Sequence, residues 1–77
     1  MKQNILKAIN HSNGINSTNL ALKVMEIVGP ARFSTEIFMV FLLEMIRDGE
    51  LIELKFHHPD IPDIKSAIYF KKGTTIL

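Results

Sequence analysis

The chain has no cysteine, which excludes a disulfide framework, a thiolate nucleophile and the sulfur ligands of a structural zinc site. Stability must then come from packing, and a reducing, cytoplasmic compartment is the expected setting. An excess of one charge is also missing. Nine basic against eight acidic residues leave a formal charge of +1, too little for a global field that gathers nucleic acid, so any DNA affinity must come from local clusters. Long apolar runs are lacking as well. IFMVFLLEMI at 37–46 is ten residues with a glutamate inside, against the ~20 that a membrane span requires. The N-terminus has one early lysine but continues as QNILKAINHSNG, not as the unbroken apolar stretch of a signal peptide. No Gly-rich phosphate loop, nucleophile elbow or HExxH occurs, so a non-enzymatic binder without cofactor or small-molecule substrate is expected.

What is present fits one small domain over residues 1–77, because 47% of the residues are apolar and no repeat or low-complexity linker divides them. Ile5, Leu6 and Ile9 recur at helical spacing in residues 2–11, and Asn13-Gly14 supplies a helix stop. Ile15 reads as a short extended connector. Ser17 or Thr18 can cap a second helix whose apolar side is Leu20, Ala21, Val24, Met25 and Val28, ending at Gly29-Pro30. Ser34 and Thr35, with Glu36 in the first turn, open a third helix that runs to Arg47 or Asp48 before Gly49.

The period then changes from helical to two. Ile52, Leu54 and Phe56 alternate with Leu51, Glu53 and Lys55 to give a half-buried strand; Ile64, Ser66, Ile68 and Phe70 alternate with Lys65, Ala67, Tyr69 and Lys71. Joined through HHPDIPD, the two strands predict an antiparallel hairpin and an α+β fold of three helices followed by that two-stranded hairpin.

GINSTNLA resembles the start of the second helix of winged-helix domains, and FLLEMIRDGELIEL is similar to their passage from recognition helix into wing strand, with Leu42, Met45, Gly49, Leu51 and Ile52 near the expected places. The likeness covers nearly the whole chain. It implies that the second and third helices form a helix-turn-helix unit, with the third helix presented to a DNA major groove and the hairpin, as a wing, touching the flanking backbone. Domains of this kind also bind proteins, so the residues must arbitrate.

On a helical wheel Phe38, Phe41, Leu42 and Met45 share one arc of the third helix, the expected core face. Met39, Leu43 and Ile46 lie opposite with Val40 between, where a DNA reader places hydrogen-bonding side chains. Either this second arc is buried under the hairpin or the tail GTTIL, or it is a docking or homodimerisation patch. The wing loop carries His57, His58, Asp60 and Asp63 rather than Arg or Lys. Adjacent histidines on an extended chain diverge, so this set is not expected to hold a metal. His11 reads as a favourable charge at the end of the first helix.

Two binding readings follow. The first is a regulatory module for double-stranded DNA that uses Arg32, Ser34 and Thr35 at the third helix, the strand residues Lys55, Lys65, Tyr69, Lys71 and Lys72 as a phosphate-tracking stripe, and Ser17 and Thr18 as backbone contacts. The lysines equally suit an ordinary solvated face. The second is a protein-interaction domain or homodimer working through Met39, Val40, Leu43 and Ile46. Family usage places DNA binding narrowly first, and a dimer that addresses DNA would satisfy both.

Overall fold

A computed structural model describes residues 1–10, 12–57, 60 and 65–74, with the side chain of Lys65 left out. His11, His58, Asp63, Ile64 and the last three residues of GTTIL, each of which carried an expectation, lie outside the described residues. The protein is α+β. Three helices, α1 (Lys2–Ile9), α2 (Ser17–Val28) and α3 (Thr35–Arg47), are combined with strands β1 (Ile15–Asn16), β2 (Leu51–His57) and β3 (Lys65–Lys71).

The first helix stops at Ile9, shorter than the expected 2–11, with Asn10 as its C-cap. The chain then turns through Asn13 and Gly14, where Ser12 Oγ accepts from the Gly14 N–H at 3.2 Å. Gly14 has φ +120, and a Cβ there would lie 2.8 Å from Phe70 Cε1 and 3.0 Å from Ile68 Cγ2. Glycine is therefore needed both for the backbone and for the close approach to β3.

Ile15 and Asn16 are more than a connector: they form β1, pairing antiparallel with β3 as Ile15↔Tyr69 and Asn16↔Ile68. The sheet is consequently three-stranded, in the order β1-β3-β2, where a two-stranded hairpin was expected. Asn16 also caps α2, its side chain accepting from the Asn19 N–H at 2.8 Å. Ser17 and Thr18, the expected caps, are already inside the first turn.

The start of α3 follows its expected chemistry. Ser34 accepts from the Ile37 N–H at 3.4 Å, and Glu36 and Arg47 sit at the helix ends that favour their charges. After Asp48, Gly49 takes φ +77; its N–H donates to the Ile46 carbonyl at 3.2 Å and the Glu50 N–H to the Met45 carbonyl at 2.8 Å. This paired closure satisfies two carbonyls of the last turn and turns the chain into β2.

The core collects Ile5 and Ile9 of α1, Leu20 and Val24 of α2, Phe38, Leu42 and Met45 of α3, and Ile15, Leu51 and Tyr69 of the sheet. The inner face of the sheet is set by register. Leu51↔Lys71, Glu53↔Tyr69 and Lys55↔Ala67 are partners, so these side chains share one face, and Leu51 and Tyr69 on it are buried. The face that carries the charged residues is the one turned to the helices. The other face, with Ile52, Leu54, Phe56, Ile68 and Phe70, points outward; Leu54 and Phe56 are exposed.

Candidate interaction surface

Helix periodicity divides α3 cleanly. Phe38, Leu42 and Met45 are fully buried and Phe41 is partly so, whereas Val40 and Leu43 are 56% and 58% exposed. Ile37 and Met39 flank them and are also exposed. Ile46, expected on the same outer arc, turns partly inward and packs against the core. The middle of the outer face thus presents aliphatic side chains to water, and burial of this arc within the monomer is not what the described residues show. Its polar groups are Glu36 in the first turn, Arg47 in the last, and the half-buried Glu44 one turn after Val40 on the side of Ile37.

Beside this face lies a groove of about 310 Å³ between α2 and the start of α3. Leu22, Met25 and Met39 form its apolar walls, and Phe33 and Phe38 line it further, their ring centroids 5.8 Å apart at 46°. Ser17, Thr18 and Thr35 line the same groove. Three of the residues expected to contact a DNA backbone are therefore grouped around an apolar hollow suited to a partner's aliphatic or aromatic side chain.

The other expected DNA contacts are scattered. Arg32 is exposed in the turn before α3, and the Ser34 hydroxyl accepts the helix-capping N–H. Lys71 and Lys72 are exposed at the end of β3. Lys55 is exposed, but its Nζ lies 3.5 Å from Glu53 Oε1, which offsets its charge. Tyr69 does not belong to a surface stripe. It is 6% exposed, and its hydroxyl donates to Glu53 Oε2 at 2.9 Å. Burial, followed by that hydrogen bond and the negative charge of Glu53, pushes the Tyr69 hydroxyl from its ordinary 10.0 up to about 12. The alternation that grouped Tyr69 with the strand lysines was right about the face; the side of the sheet that packs on the helices was the opposite one.

Among the described residues, no group of three His, Asp or Glu side chains is placed to hold a metal ion. No helix among them is long and apolar enough to cross a membrane. Ile37, Leu22, Ile27, Leu54 and Phe56 are further exposed apolar residues, beyond those expected from the sequence. For Ile37 the available signal was its position at the edge of the wheel's core arc; for the two strand residues, alternation alone cannot say which face meets the helices. No family model matches the chain, and no curated protein or solved structure does so significantly.

Proposed function

We propose that this chain is a non-catalytic interaction domain of winged-helix type that docks a protein partner through the outer face of α3. The carrying observation is that Val40 and Leu43 are more than half exposed at the centre of the helix that a DNA reader would present to base edges. Aliphatic side chains there offer bases no hydrogen bonds, but they supply the apolar centre of a protein interface. Three helices followed by the antiparallel β2 and β3 strands support the winged-helix arrangement that the sequence resembles. The adjoining α2–α3 groove extends the apolar surface and provides a socket beside it.

A nucleic-acid role in regulation is the second reading, favoured by the exposed cations Arg32, Lys71 and Lys72. With Tyr69 buried and Lys55 beside Glu53, it has fewer contacts than the sequence promised. A photo-crosslinking amino acid placed singly at Leu43 and at Lys72, in cells producing the chain, separates the two. Docking predicts protein adducts from Leu43 and no nucleic-acid adducts. Nucleic-acid adducts from both positions would overturn it.

A further inference from the structure

We infer that the partner of the outer α3 face is a second copy of this chain, its α3 antiparallel to the first, with Glu36 of each copy paired to Arg47 of the other. This rests on the docking reading above and names the occupant. Along the exposed centre of α3 run Glu36, Val40, Leu43 and Arg47, in steps of four, three and four residues. Such spacing keeps a narrow line of contact between two helices over several turns.

The ends of that line carry opposite charges, and its middle is aliphatic. A two-fold axis passing between Val40 and Leu43 sets Glu36 against Arg47 at both ends and Val40 against Leu43 twice, the self-complementary pattern of an isologous interface. A parallel pair would instead stack Glu36 on Glu36 and Arg47 on Arg47. Neither charge is committed elsewhere in a way that would oppose this. Among the described residues Arg47 pairs only with its neighbour Asp48, at 3.3 Å and with side chains 72% and 44% exposed, and Glu36 has no ion pair. An exposed pair of that kind contributes little and is readily exchanged. On one flank Met39 and the half-buried Ile46 widen the apolar strip.

A 13-residue helix is about 20 Å long. A contact centred on one helix pair falls at or below the ~1,200 Å² lower end of stable interfaces, which predicts a reversible, concentration-dependent dimer rather than an obligate one.

Sedimentation velocity on the full chain at low salt tests this with two charge reversals at exposed positions. Wild type is expected to dimerise. Glu36→Arg and Arg47→Glu should each weaken dimerisation roughly tenfold, since each replaces two attractive contacts by two repulsive ones. Mixing the two variants, or combining both changes in one chain, should restore it. Circular dichroism confirms that each variant is folded. A wild type that stays monomeric up to millimolar concentration, reversals without effect, or a mixture that fails to recover would each overturn the antiparallel dimer. A monomer whose Leu43 still crosslinks to proteins would leave docking in place and remove only the second copy as the occupant.

Discussion

Replacing Tyr69 with phenylalanine isolates one polar contact in an apolar setting. The ring is 6% exposed, so Tyr69→Phe keeps its packing and removes only the hydroxyl that donates to Glu53 Oε2 at 2.9 Å. A hydrogen bond to a charged group is worth about 1.5–3 kcal/mol. Glu53 is 17% exposed and keeps Lys55 at 3.5 Å, so water and that cation recover part of the loss. The expected destabilisation is therefore about 1–2 kcal/mol. A domain of this size has a total stability of roughly 4–12 kcal/mol, and the corresponding fall in melting temperature is roughly 5–15 °C. The pH dependence has a definite sign. The folded-state pKa, about 12, lies above the ordinary 10.0. The stabilisation from the protonated hydroxyl is thus fully present below pH 10.0 and is lost as pH rises toward about 12. The difference in stability between wild type and Tyr69→Phe should be constant at neutral pH and shrink over that window, whereas lysine titration affects both proteins alike. The chain has one tyrosine and no tryptophan, so tyrosinate absorbance follows Tyr69 alone. A folded protein whose tyrosine ionises near 10.0, together with a Phe variant as stable as wild type, would refute this account of the Tyr69–Glu53 contact.

Five further substitutions probe the same structure by thermal or urea unfolding. Leu42→Ala should cost about 2–5 kcal/mol because it opens a cavity in the core, while the neighbouring Leu43→Ala, at 58% exposure, should cost less than about 1 kcal/mol; equal costs would contradict the division of α3 into inner and outer faces. Gly14→Ala should destabilise by more than about 1 kcal/mol, since φ is +120 and its Cβ would lie 2.8 Å from the Phe70 ring; a neutral result would mean that the turn at Gly14 does not press on β3. Asn16→Ala should cost about 1 kcal/mol and Ser17→Ala much less, because Asn16 is the residue that caps α2; the reverse order would reinstate Ser17 as the cap.

How far the fold could be read in advance depended on whether local chemistry was unique at each point. The third helix was legible from Ser34 to Gly49 because the adjacent hydroxyls of Ser34 and Thr35, the glycine after its last turn and a strong helical period marked it. Asn16, Ser17 and Thr18 are consecutive residues that can each cap a helix, so the choice among them is settled by where β1 pairs rather than by residue type. A two-residue strand has no period to detect, which hid the third strand of the sheet. Both faces of β2 carry apolar residues, so alternation identified the faces and not their orientation. Leu51 and Tyr69 packing on the helices decides that, and it moves Tyr69 from the expected DNA stripe into the core. The aliphatic outer arc of α3 was legible except for Ile46, whose position at the edge of the arc lets it turn toward the core.

Whether the outer face of α3 is an interface can be read from amide chemical shifts of isotopically labelled protein, recorded over a concentration series and again with mixed-sequence duplex DNA at low salt. Dilution is expected to move signals around Glu36, Val40, Leu43 and Arg47, Leu43→Asp to abolish this movement without unfolding the protein, and duplex DNA to move little. Signals that ignore concentration, together with salt-sensitive shifts at Arg32, Lys71 and Lys72 on adding duplex, would contradict such an interface and return the chain to the nucleic-acid reading.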